Sequence, residues 1–182
     1  MAIFDNLDKR ESAIRRASEF FKGKVKSIQL GALSLAVRNS RLTPNIFIGG
    51  MFFYFYDPKL KEELPYYDRF PLVLPFNVYN DGFIGLNLHY LHPMLRLKLL
   101  SKLYDYNTDK KTSDKQKAIL SYSLLNAAST SDLVKPCIKR YLTSHIKSKF
   151  LSIEYEDWGR AVLLPVERFE KASKQQVWAN NK

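Results

Sequence analysis

GMFFYFYDPKLKEELPYYDRFPLVLPFNVYNDGFIGLNLHYLHP, residues 50–93, is the stretch whose reading decides the fold. Within it Leu72, Leu74, Phe76 and Val78 recur at every second position up to Asn80-Asp81-Gly82. Ile84, Leu86, Leu88 and Tyr90 resume the alternation beyond. A period of two is the signature of a strand with one buried face. Asn, Asp and Gly tolerate the positive φ angles that tight hairpin turns favour. The spacing therefore predicts a hairpin over 72–90 with eight large apolar side chains on one face. A one-residue slip would carry all of them to solvent. Burying them is worth on the order of 10–20 kcal/mol before entropy is subtracted.

Upstream, Met51 to Tyr56 reads as a short, almost wholly aromatic strand. Alternation sends Met51, Phe53 and Phe55 to one side and Phe52, Tyr54 and Tyr56 to the other. Asp57-Pro58 ends the run. Leu64-Pro65-Tyr66-Tyr67-Asp68 is expected to be extended before Phe70-Pro71, because the residue ahead of a proline is kept out of the helical region.

Outside this stretch the pattern turns helical and basic. Residues 5–22 form an expected helix, capped by Asp5 or Asn6 and closed at Gly23. Residues 25–42 fit a strand or a helix equally well. Pro93 opens a leucine-rich helix over 94–106. A polar loop and a helix from Ser113 or Asp114 to about Ala128 follow. Lys135 to Leu151 has the best amphipathic pattern. Ile138, Tyr141, Leu142, Ile146 and Phe150 share a stripe, and Lys139, Arg140 and Lys147 lie opposite. A last short helix is expected around Asp157 to Leu164, stopped by Pro165, with a polar end beyond. Trp178 so near the end of that tail implies that the tail docks on something.

The fold class that follows is α+β. A small, twisted antiparallel sheet, open or barrel-like, comes from about 51–56, 72–79 and 83–90. Helices over 94–182 cover it, since three strands alone are marginal. Residues 1–49 read as a basic helical arm and 50–182 as the core domain.

Of the 182 residues 46% are apolar and 14% aromatic, enough for a real core. The single cysteine, Cys137, excludes an internal disulfide and a cysteine-based zinc site. The first residues show no apolar segment of the secretory kind. No apolar run approaches the roughly 20 residues needed to span a bilayer. The net charge of +11 is uneven. Residues 51–93 carry three Lys/Arg against five Asp/Glu, whereas residues 94–182 carry seventeen against nine. An acidic sheet with basic flanks suits nucleic acid or an acidic protein surface.

Lys139, Arg140 and Lys147, assisted by Arg15 and Arg16, are the candidates for phosphate or acidic-partner contact, which needs exposed cations on a rigid element. The plain alternative is a solvated helix face. Phe52, Tyr54 and Tyr56, with Tyr66 and Tyr67, are the residue types of a base-stacking sheet. They lie in the acidic segment, so they are assigned to core or, with Trp178, to a protein interface. Asp57, Asp68 and Asp81 border the sheet, and Asp57-Pro58-Lys59 is half of a metal-nuclease motif. The other half is missing, because no acid lies between Glu19 and Asp57. His89 and His92 lack further ligands for a metal. His145 reads as a core or interface histidine, and Cys137 as a small buried residue. P-loops, dinucleotide fingerprints and nucleophile elbows are absent, and no cofactor is expected.

Several stretches carry a resemblance. They are Gly50-Met51-Phe52, Tyr56-Asp57-Pro58-Lys59, Leu64 through Val73, Gly82 through Leu91, and Lys135-Pro136-Cys137-Ile138-Lys139-Arg140-Tyr141-Leu142. Over residues 50–182 the chain resembles a group of proteins encoded by tailed bacteriophages, especially contractile-tailed ones of the T4-like kind. The resemblance implies a non-enzymatic virion structural or assembly protein. Its partners would be other phage structural proteins in a homo- or hetero-oligomeric assembly, and its place the virion or the host cytoplasm. A DNA-end-protecting or head-to-tail joining factor is one variant it implies. The second reading is a basic protein acting on phage DNA or DNA ends. The third is a metal-dependent nuclease. No catalytic residue carries over from the resemblance, and no membrane contact is expected.

Overall fold

The computed structural model describes residues 42–107, 123, 130–154, 157–163 and 165–181. They belong to the second of two units, Arg41–Lys182. The basic arm with Arg15 and Arg16, and nearly all of the helix expected over 113–128, lie outside the described residues.

In chain order the strands are β1 (Leu42–Thr43), β2 (Met51–Phe53), β3 (Tyr67–Asp68), β4 (Leu72–Tyr79), β5 (Gly82–Asn87), β6 (Ile138–Leu142), β7 (Phe150–Ile153) and β8 (Phe169–Glu170). The helices are α1 (Pro93–Asn107), α2 (Trp158–Leu163) and α3 (Lys174–Asn180). Six strands form one antiparallel sheet in the order β1-β7-β2-β4-β5-β6, and β3 pairs with β8 separately. Among the described residues the ladder ends at β1 and β6. The sheet is therefore open, and the barrel-like form is set aside.

The hairpin forms where the alternation places it, but its register breaks once. Leu74 pairs with Leu86 and Pro75 with Gly85. The next pair is Asn77 with Ile84, which leaves Phe76 as an extra residue. Proline has no N–H for the ladder and is accommodated in strands at bulges. The bulge reverses the parity of β4 beyond it. Leu72 and Leu74 stay in the core, whereas Val78 pairs with Phe83 and is 48% exposed. The expected eight-residue apolar face is thus shorter than the pattern implied. Leu88–Tyr90 leaves the strand as a 3-10 turn, capped by the Asn87 side chain, which accepts from the His89 N–H.

Gly82 also has a different role from the one expected. Neither it nor Asn80 or Asp81 has positive φ. A Cβ on Gly82 would lie 1.9 Å from the Tyr141 carbonyl oxygen. The residue is glycine because β6 runs against it, which is the close-approach use of the missing side chain.

Both faces of the sheet are buried. On one, Met51, Leu72, Leu74, Leu86 and Leu88 pack with Leu100 of α1, Trp158 and Val162 of α2 and Val177 of α3. On the other, Phe52, Tyr54, Tyr56, Val73, Phe83, Tyr141 and Phe150 form an aromatic layer with largely edge-on rings. The alternation read for Met51–Tyr56 sends Met51 and Phe53 to the first layer and Phe52, Tyr54 and Tyr56 to the second, although only Met51–Phe53 is a strand.

The largest correction falls on Lys135 to Leu151. It is not a helix. A 3-10 turn at Lys135–Cys137 leads into β6, a second turn spans Thr143–His145, and β7 begins at Phe150. Tyr141 and Phe150 would sit about two and a half turns apart on the expected helix, yet they meet in the same aromatic layer because each enters it from a strand. Tertiary pairing with β5 and β2 overrides a helical spacing that short apolar runs satisfy by chance. Helices do cover one face, and α1 and α2 fall where Pro93 and Pro165 place them. The last helix, α3, stands where a polar end was expected. Ser173 and Gln176 form its capping box.

Candidate nucleic-acid interface

The site begins with a buried polar cluster that fixes the chain around Asp68. Asp68 is 3% exposed. Its Oδ2 lies 2.7 Å from His89 Nδ1 and accepts from Asn87 Nδ2 at 3.0 Å, and its Oδ1 accepts from the Phe70 N–H at 3.1 Å. Asn87 Nδ2 also reaches the Tyr141 hydroxyl at 3.1 Å. A buried carboxylate is tolerated only when its lone pairs are filled in this way. The cluster locks the direction in which Arg69 and Phe70 leave β3. The Arg69 N–H donates to the Arg168 carbonyl, and the Tyr56 N–H to the Arg69 carbonyl.

Phe70 is thereby set between two residues of the aromatic segment. Its ring stacks on Phe55 (5.3 Å between centroids, 26° between planes) and on Phe53 (6.1 Å, 17°). All three rings are half-buried. The Arg69 guanidinium covers the outer ring, 5.1 Å from the Phe55 centroid, and its Nη1 is 3.4 Å from Glu170 Oε1. The result is a near-parallel stack, Phe53–Phe70–Phe55, capped by a cation.

The connector from β6 to β7 runs beside this stack. The Thr143 N–H donates to the Asp81 carbonyl at the hairpin turn. The Asp57 N–H then donates to the His145 carbonyl, Ile146 bridges to Tyr56, and the Lys147 N–H donates to the Phe55 carbonyl. Ser148 Oγ accepts from the Phe55 N–H at 2.9 Å. One backbone thus links the hairpin turn to the aromatic stack. It presents Lys147 and Lys149, both exposed, and no acid interrupts residues 138–153. At its start the exposed Arg140 sits 4.5 Å over the Tyr79 ring and 2.5 Å from Asp81 Oδ1. That hydrogen bond holds the Asp81 carboxyl below its usual range.

The expected cations therefore part company. Arg140 and Lys147 lie at either end of one connector, not on a helix face. Lys139 is half-buried with its ammonium 4.4 Å over Tyr90, and burial lowers its pKa. Arg96, another cation, is 1% exposed. It donates to the carbonyls of Leu91, Val162 and His89 and pairs with Glu167. Lys171, at positive φ, spends its ammonium on the carbonyls of Lys61, Glu62 and Leu64.

The aromatic candidates move as well. Phe52, Tyr54 and Tyr56 are core, at 0%, 2% and 7% exposed, so the interface expected of them is corrected. Burial raises the Tyr54 and Tyr56 hydroxyl pKa values. Tyr66 packs near Tyr90, and Tyr67 is a half-buried β3 residue. Trp178 docks on its own chain, its Nε1 donating to the His89 carbonyl at 2.9 Å. The stacking rings are the opposite parity, Phe53 and Phe55, joined by Phe70. The sequence offered one signal for them, the alternation of 51–56.

Asp57, Asp68 and Asp81 occupy three different settings: an ion pair with Lys61, the buried cluster and the hairpin turn. Among the described residues no group of three His, Cys, Asp or Glu stands ready for a metal ion. His92 is exposed against Trp178, and His145 Nδ1 meets the Asp57 carbonyl oxygen. Cys137 is fully buried, and burial pushes its thiol up to about 12.

An open antiparallel sheet with helices on one face, a cationic connector and a half-exposed aromatic stack makes this a mixed α+β protein. The family described as phage T4 terminal DNA protecting protein matches residues 8–182, and the chain belongs to that family. No curated protein and no solved structure matches it.

Proposed function

We propose that this protein binds the ends of linear phage DNA in the host cytoplasm and shields them without cleaving them. The observation that carries the reading is the family match over residues 8–182. The acid-free connector with Lys147 and Lys149 supports it, because phosphate binding favours exposed cations free of competing carboxylates. Sequence analysis put a virion subunit first and DNA-end binding second. The family match favours the second. Binding without chemistry is supported by the separate settings of Asp57, Asp68 and Asp81, each already engaged.

The experiment is competition between linear blunt duplex and closed circular DNA of the same sequence. The circle offers the same phosphates and no ends. The reading predicts that linear DNA displaces a labelled linear probe at far lower concentration than the circle does, with affinity falling steeply as salt rises. Equal competition by the circle would leave a general DNA binder. No binding at low salt would remove DNA as the partner.

A further inference from the structure

We propose that the Phe53–Phe70–Phe55 stack is the seat of the terminal base pair, with Lys147 and Lys149 holding the phosphates next to the end. The inference rests on the DNA-end reading and adds the part of the DNA that is recognised and the residues that recognise it.

Four observations converge. First, the rings of the stack are near-parallel, whereas those of the buried aromatic layer meet mostly edge-on. Second, the stack has an outer end. Phe70 stands between Phe53 and Phe55, so Phe55 ends the stack, with the Arg69 guanidinium 5.1 Å from its centroid. A cation over a ring marks a face of Phe55 that a base can take in its place. The Arg69 side chain is 41% exposed, and its opposite contact is the partly exposed Glu170. Moving it from ring to phosphate breaks one partly exposed ion pair and one ring contact. Third, Phe55 is clamped at both backbone groups by the neighbours of the cations, its carbonyl by Lys147 and its N–H by Ser148. The platform and the cations are thus held in one rigid relation. Fourth, the charge is complementary: Arg69 lies over Phe55, Lys147 and Lys149 sit on the connector that bonds the Phe55 backbone, and Glu170 is already paired with Arg69 and Arg168.

A duplex end differs from its interior in exposing the flat face of a base pair, besides its free 3′ and 5′ groups. An aromatic ring takes that face whatever the sequence, because every base has a π-face. Cations alone bind the interior as well as the end. The rings supply the preference for ends, and the cations supply affinity.

The test uses the full chain and a blunt hairpin duplex carrying a fluorescent adenine analogue, either in the terminal pair or in the middle of the stem. A dumbbell of the same stem, sealed at both ends by loops, is the control. The terminal analogue should change its emission on binding and the internal one should not. Phe55→Leu keeps bulk but removes the π-face. It should weaken binding to the open hairpin by roughly five- to 150-fold while leaving dumbbell binding unchanged. Phe55→Trp should retain end affinity, and its own emission should shift with the open hairpin and not with the dumbbell. It decides the question if Phe55→Leu fails to fold. End-preferring binding with a silent terminal analogue, or with Phe55→Leu at wild-type affinity, overturns the stacking proposal and leaves the DNA-end reading standing. Equal binding to hairpin and dumbbell overturns both.

Discussion

Replacing Asp68 by alanine tests whether the cluster that aims Arg69 and Phe70 is held as described. The carboxylate is 3% exposed and engages Phe70 N–H, Asn87 Nδ2 and His89 Nδ1 at 3.1, 3.0 and 2.7 Å. Asn87 keeps its contact to the Tyr141 hydroxyl after the change, so two buried groups lose the carboxylate without an obvious substitute. Each such group costs about 1–3 kcal/mol. Two such groups put the loss at about 2–6 kcal/mol, a large part of the roughly 5–15 kcal/mol that a domain has. Asp68→Asn keeps an acceptor for Phe70 and should lose less, about 1–3 kcal/mol. Urea titration of both variants at neutral pH, with unchanged slope, measures the difference. A loss below about 1 kcal/mol for Asp68→Ala would refute the cluster, and with it the anchoring of Phe70.

Gly82→Ala should be worse, costing more than about 3 kcal/mol or abolishing folding, because the backbone of β6 lies where the Cβ must go. Gly159→Ala in α2, where nothing lies within 4 Å, should stabilise by about 0.5–1 kcal/mol in the same titration. Lys147→Gln with Lys149→Gln should flatten the slope of log affinity against log salt by about 2, whereas Lys139→Gln, covered by Tyr90, should leave it unchanged. Stability should fall on the alkaline side. Burial raises the pKa values of Cys137 (to about 12), Tyr54, Tyr90 and Tyr141. The unfolded chain releases these protons first, so it binds fewer of them than the folded chain, and stability drops as pH rises. The contribution is whole below about pH 8.5 and is progressively lost above it. Urea midpoints at about pH 7 and about pH 10 check this, and an equal midpoint at both would contradict it.

What could be read from the sequence was what local chemistry decides. Period-two alternation placed β4 and β5 and sorted Phe52, Tyr54 and Tyr56 from Met51 and Phe53. Pro93 and Pro165 bounded their helices. The bulge at Phe76 escaped because alternation carries no information on which residue is left unpaired, although Pro75 was its warning. The misread helix at 135–151 shows the same limit from the other side. Ile138, Tyr141 and Leu142 satisfy a helical stripe, and only the partner strand β5 makes them strand. That one error put Lys139 beside Arg140 and Lys147 on a face that does not exist. The site was illegible for a further reason. Phe70, Phe55 and Lys147 lie far apart in the chain, and only the folded chain brings them together. Gly82 was recognised as a hairpin residue on the wrong grounds, since its need comes from β6.

The most direct measurement of the central claim is protection of a linear blunt-ended duplex against a processive exonuclease that starts at ends. The account predicts that the wild-type protein blocks degradation at protein-to-end ratios near one, that excess closed circular DNA does not relieve the block, and that Phe55→Leu and the Lys147/Lys149 double variant each weaken it. Degradation at the unprotected rate with saturating folded protein, or a block that closed circles abolish, would contradict the account.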